Sequence, residues 1–177
     1  MKNYKTNTKE ILIKFKKAEN PKELDQMIYD FENDIDDIKK PYYLKESENP
    51  YIYIMEYSKP KEIIKKVELN DTIKSKVKII PVTSVTNNIN HITSEIIKKI
   101  RNKTSLEDTY EVTCHTDPYY NIKSKDLIEY EISERIENII HIHPNNKQPK
   151  WKINIYIVGD ESFINIKKTK QHQKNNT

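Results

Sequence analysis

A single glycine, Gly159, stands among the 177 residues of this chain. P-loops, GxGxxG dinucleotide turns and acetyl-CoA pyrophosphate loops all need glycine where backbone approaches phosphate, so those enzyme classes are excluded. Cysteine is equally scarce. Cys114 stands alone, which rules out an internal disulfide and any multi-cysteine metal site, and suits a reducing cytoplasm. No apolar run approaches ~20 residues and no apolar segment opens the sequence, so neither a membrane span nor export is expected. A strong charge of one sign is missing too. Residues 1–90 carry 17 basic and 15 acidic groups and residues 91–177 carry 14 and 12, so each half is only mildly positive and no polybasic domain exists. Such a balance is compatible with nucleic acid without establishing it.

What is present is patterned. Hydrophobic residues make up 35% and charged residues 33%, polar for a folded chain but too regular for disorder. The length allows one mid-sized domain or two small ones, and folding would bury roughly 70% of the extended chain's surface. The run 10–17 alternates, with Ile11, Ile13 and Phe15 on one face of a strand. Asn20-Pro21-Lys22-Glu23 has the form of a capped helix start, followed by Leu24, Met27, Ile28 and Phe31 at helical spacing. The acidic group Asp30, Glu32, Asp34, Asp36 and Asp37 opposes the helix dipole and is expected to end that helix near Asn33. Segments 41–47 and 51–58 read as strands around a Ser47–Pro50 turn. Ser58 is the expected cap of a second helix that turns Ile63, Ile64 and Val67 inward. A strand over 76–85 follows, with Pro81 expected at an edge or bulge.

The second half reads helix, strand, helix, hairpin. Ile92, Ile96 and Ile100 share a helix face, and Asn88 or Asn90 is its cap. Segment 109–116 alternates, with Tyr110, Val112 and Cys114 on one face and Glu111, Thr113 and His115 on the other. Ser124 caps a helix striped by Ile128, Ile132, Ile136 and Ile140. The runs WKINIYIV and SFINI form a hairpin around Gly159-Asp160. The fold class is thus α/β (α+β): a ferredoxin-like β-α-β-β-α-β domain over 10–85, a second α/β module over 86–168, and a basic disordered tail over 169–177.

With the segments KIIPVTSVTNNINHITSEIIKKI, TYEVTCHT, SKDLIEYEISERI and IHIHPN followed by WKINIYIVGDESFINI, the sequence resembles THUMP-domain proteins with their N-terminal ferredoxin-like domain. The resemblance covers nearly all of residues 10–168 and looks most like the stand-alone THUMP proteins of archaea. It implies a tRNA-binding adaptor, not an enzyme and without a cofactor, that serves a separate acetyltransferase forming N4-acetylcytidine. An alternative within the same class is an RNA-binding subunit for thiolation, methylation or pseudouridylation. The chain departs from the family where members often place basic residues at the end of the 109–116 strand, here His115-Thr116-Asp117, and where they often have glycine, here Ser133.

An RNA surface needs cations that track phosphates and neighbours that stack on bases. Lys98, Lys99, Arg101 and Lys103 lie along or just after the first helix of the module; Lys123 and Lys125 open its central helix, with Tyr119 and Tyr120 in the preceding loop; Lys147, Lys150 and Lys152 flank the hairpin entry. Each alone reads equally as a solvated lysine. His141 and His143, two apart, are expected on one strand face, ordinary strand-edge histidines rather than metal ligands. Cys114 and His115 point to opposite faces, which disfavours a nucleophile pair. Trp151 reads as a core-edge anchor, and Arg135 as a charge partner of Glu131 and Glu134. Two other classes compete: a small enzyme acting through His115, His141 and His143, and a protein-interaction module using the acidic helix end without RNA.

Overall fold

A computed structural model describes residues 9–38, 40–116 and 124–169. The chain divides into two compact units, Met1–Thr83 and Ser84–Thr177. In the first, the elements run β1 (Lys9–Phe15), α1 (Pro21–Asp34), β2 (Tyr43–Glu46), β3 (Ile52–Tyr57), α2 (Pro60–Glu68), α3 (Asp71–Lys74) and β4 (Val77–Thr86), the last three residues of which belong to the second unit. The strands lie in the order β2-β3-β1-β4, and each neighbouring pair is antiparallel.

Local chemistry explains the boundaries. The Asn20 side chain accepts from the Glu23 N–H at 2.9 Å, while the Glu23 carboxylate reaches back to the Glu19 N–H at 2.8 Å, one residue earlier than a strict capping box. The helix then buries Met27 and Phe31, and Phe31 meets Phe15 edge-to-face at 5.9 Å. Ile63 and Val67 of α2 close the same core as Ile11, Ile13 and Met55. Ser58 does not cap α2. With Pro60 as the first helical residue, the cap falls on Lys59, which makes no side-chain cap bond. The short α3, capped by Asn70, was not expected from the pattern. Pro81 sits opposite Ile11 in register.

The acidic end of α1 is partly consumed within its own unit. Asp37 pairs with Lys66 of α2, and Glu32 accepts from the Tyr42 hydroxyl at 3.3 Å.

The second unit contains α4 (Ile89–Ile100), β5 (Thr109–Thr116), α5 (Lys125–Ile140), β6 (His143–Pro144), β7 (Trp151–Val158) and β8 (Glu161–Lys168). Its strands lie in the order β8-β7-β5-β6, with β5 parallel to both β7 and β6 and the β7–β8 hairpin antiparallel. Asn88 caps α4 by accepting from the N–H groups of Asn90 and His91, and Ser124 caps α5 through Leu127 N–H. Both helices pack on one sheet face. Ile92, Ile96 and Ile100 of α4 and Ile128, Ile132 and Ile136 of α5 meet Tyr110, Val112, Cys114, Ile153 and Ile155. The Tyr110 hydroxyl crosses this core to donate to the Ser133 carbonyl at 2.7 Å, and burial pushes its pKa up to about 12.

With one glycine in the chain, a left-handed helix terminus has to be filled by another residue. His141, at φ 65°, does this at the end of α5, a costly conformation for a residue with a Cβ and one in which histidine is enriched. Gly159 is spent on the hairpin, where φ 61° at the first turn position matches a type II′ turn. Among the described residues, no helix is long and apolar enough to cross a membrane.

Candidate nucleic-acid interface

The geometry of the second unit sorts the expected cations. Arg101, Thr104, Ser105 and Leu106, after α4, line a recess with Ile139 and Ile140, at the end of α5, so the two helices run in the same direction and finish together. The sheet starts its parallel strands at that end. The Asn145 N–H donates to the Tyr110 carbonyl at 2.8 Å, the Lys150 N–H donates to the Thr109 carbonyl at 3.1 Å, and Trp151 pairs with Tyr110 on one side and Lys168 on the other. Lys98, Lys99, Arg101, Lys103, Lys147, Lys150 and Lys152 therefore gather around one end of the unit. Lys125 sits at the other, near the start of α5, where it lies 3.9 Å from Glu129. An eight-residue strand separates the ends by about 25 Å. Tyr119, Tyr120 and Lys123 lie outside the described residues, as do the expected frayed start (1–8) and the tail from residue 170.

Within the basic end the cations differ in what they can do. Lys98, Arg101, Lys103, Lys147 and Lys152 are exposed and Lys99 is half-buried. Two more cations join them that the sequence analysis did not single out, Lys167 and Lys168, both exposed. They fall there because β8 continues past the SFINI run, so that Lys167 lies opposite Lys152 and Lys168 opposite Trp151. Lys168 holds its ammonium 5.3 Å from the Trp151 ring centroid. The cross-strand row Glu111, Lys152, Lys167 has one carboxylate for two ammonium groups. Like charges directly opposite destabilise a sheet, so an anion placed over this row would stabilise it.

Lys150 is different. Its ammonium donates to Asp108 at 2.8 Å, in a pair where Asp108 is only 4% exposed. Asp108 also accepts from the Trp151 indole N–H at 3.0 Å, the Ser105 N–H at 3.1 Å and the Ser105 hydroxyl at 3.0 Å. Burial raises the Asp108 pKa, but Lys150, Trp151 and Ser105 together outweigh it and hold the carboxyl well below the usual range. So Lys150 fastens the α4–β5 connection onto β7, with its side chain still 29% exposed. Trp151, 5% exposed, is the anchor the sequence suggested.

The histidines do not converge. His141 terminates α5, whereas His143 lies on β6 with its Nδ1 3.2 Å from Glu137, so the expected shared strand face is absent. The helix continues through Ile140, and the left-handed turn at His141 breaks the alternation on which that expectation rested. His115 stacks on Tyr156 at 4.5 Å, with Nε2 3.2 Å from Asn154. Among the described residues no three His, Cys, Asp or Glu side chains group in metal-binding fashion. Arg135 does not simply pair along its own helix; it donates to the Asn90 side chain at the start of α4.

Cys114 is fully buried on the core face of β5, and burial, with Glu129 nearby, pushes its thiol up to about 11. Thiol alkylation of the native chain at pH 8 is expected to proceed no faster than unfolding exposes the residue. Labelling at the rate of a free thiol would contradict the buried placement.

No protein-family model matches the chain, and no curated protein matches it. Solved structures do. PH1313 from Pyrococcus horikoshii Ot3 superposes with a TM-score of 0.68 at 15% identity, over 92% of this chain and 55% of that one. A 4-thiouridine synthetase, solved as an RNA complex with bound ATP, gives 0.54 at 9% identity over 92% and 42%. TrmN from Thermus thermophilus gives 0.51 at 8% over 91% and 46%. This chain therefore spans about half the length of the solved chains it resembles. At these identities the likeness concerns architecture alone. The fold is mixed α/β and THUMP-like.

Proposed function

We propose that this protein is a non-catalytic tRNA-binding adaptor that presents tRNA to a separate modifying enzyme, an acetyltransferase forming N4-acetylcytidine. The observation that carries the reading is the gathering of Arg101, Lys103, Lys147, Lys152, Lys167 and Lys168 at one end of the second unit, all exposed and drawn from three separate segments. Cations so placed follow a phosphate backbone, and most of the affinity then comes from counterion release. The fold it shares with a 4-thiouridine synthetase crystallised with RNA supports the same direction. The ferredoxin-like first domain that the sequence suggests would serve as the second part of the adaptor. The acetylation role itself rests on the sequence resemblance.

The test uses the purified chain, bulk tRNA and a tRNA acetyltransferase. The protein alone leaves cytidine unmodified, and adding it raises the acetyltransferase rate at limiting tRNA. An enzyme indifferent to its presence removes the acetylation role. Stimulation of a thiolating, methylating or pseudouridylating enzyme instead would reassign the adaptor.

A further inference from the structure

We propose that the cavity at the opposite end of the second unit receives one unpaired nucleobase, preferring bases that carry an exocyclic amine. This rests on the RNA-binding reading above and adds a base-selective site to it. The cavity has a volume of about 360 Å3 and lies where the N-terminal end of α4, the last residue of β5 and the β7–β8 turn come together over α5. That places it at the C-terminal ends of the parallel strands β5 and β7, where open α/β sheets commonly hold ligands.

Its floor is apolar. Ile92, Ile128 and Ile157, exposed by 1%, 6% and 9%, line it from three elements. Its rim is polar, with Asn90, Glu131 and Arg135 converging on the opening. The Arg135–Asn90 hydrogen bond fixes the guanidinium across the gap between the helices. One bond leaves a guanidinium with further N–H donors. An isolated phosphate is a poor match. The first-turn N–H groups of Asn90 and His91 are already taken by the Asn88 side chain, and the Glu131 carboxylate beside Arg135 opposes an anion. A purely apolar ligand would desolvate that charged rim without satisfying it. A flat heterocycle suits both parts, with its faces against isoleucine and its edge offering a donor and acceptors. Glu131 can accept from an exocyclic amine, and Arg135 can donate to a ring nitrogen or carbonyl. Uracil has no such amine.

The test titrates the 15N-labelled full chain with the RNA tetranucleotides A4, C4 and U4. Shifts are expected at the backbone amides of Asn87, Asn90 and Gly159 with A4 or C4, and U4 should bind at least about 5-fold more weakly. Glu131→Gln and Asn90→Ala should each weaken the favoured tetranucleotide by about 5- to 100-fold while leaving U4 affinity and the salt dependence of tRNA binding unchanged. Glu131→Gln alters no packing and so serves where Asn90→Ala compromises α4. Equal affinity for A4, C4 and U4, shifts confined to the lysine-rich end, no tetranucleotide binding, or variants that bind like the parent would each overturn the pocket. tRNA binding retained in those cases leaves the adaptor reading standing. Base-selective tetranucleotide binding without tRNA binding would support the pocket and overturn the adaptor.

Discussion

Lys147→Glu, Lys152→Glu and Lys167→Glu combined in one chain should lower tRNA affinity by on the order of 100-fold at ~0.1 M salt. The three side chains are exposed and sit at the β7 entry and the β8 exit of the second unit. If each meets one phosphate, losing three contacts lowers the slope of log affinity against log salt by about 2 to 3. Reversal adds repulsion to the lost attraction, so the effect exceeds that of alanine. The variant should still fold. Lys152 and Lys167 oppose each other across the hairpin, and reversing both exchanges one like-charge pair for another next to Glu111, which costs an exposed sheet face about 1 kcal/mol or less. Filter binding at several salt concentrations, with circular dichroism as a control for folding, reads both quantities. Affinity lost with the salt slope intact would mean that these lysines do not meet phosphate.

Asp108→Ala should be the most damaging single polar substitution in the second unit. It strands the Lys150 ammonium, the Trp151 indole N–H and the Ser105 donors in a site where the carboxylate itself is 4% exposed. Breaking such a pair costs about 3 kcal/mol, which lowers the melting temperature by about 6–12 °C for a chain of this size. The pH dependence has a definite sign. A carboxyl held below its unfolded value contributes stability that is fully present above about pH 4 and is lost as pH falls toward the folded-state value. The urea midpoints of the parent and Asp108→Asn should therefore differ by a constant amount from pH 7 to about pH 5 and converge below pH 4. A gap that stays constant into the acid range would show that the charge of Asp108 contributes nothing.

Much of this architecture was legible from spacing alone. The isoleucine stripes of α4 and α5, the alternation of β5 and the Gly159 turn are local patterns whose period fixes the element and its buried face. The caps at Asn20, Asn88 and Ser124 were legible too, since their side chains bond three residues away at most, whereas Pro60 at the first helical position displaced the expected cap at Ser58. What escaped depends on partners distant in sequence. Asp108 and Lys150 are 42 residues apart, so nothing local separates this fastened lysine from its solvated neighbours. Lys167 and Lys168 joined the basic end through hairpin register, which carried β8 beyond the apolar run that marked it. His143 lies on β6 through its pairing with Thr109 of β5, while the glycine-poor helix end took His141 elsewhere. The Asn90–Arg135 bond spans 45 residues and couples two helix ends that sequence treats as independent.

The central claim is that phosphate-led RNA binding is the work of the basic end. Equilibrium tRNA binding by the unmodified chain between ~50 and ~200 mM salt tests it most directly. Phosphate contacts from six of the seven exposed cations at that end predict a straight fall of log affinity with log salt, amounting to about 1,000-fold across that range. Affinity that holds constant over the same interval would contradict it.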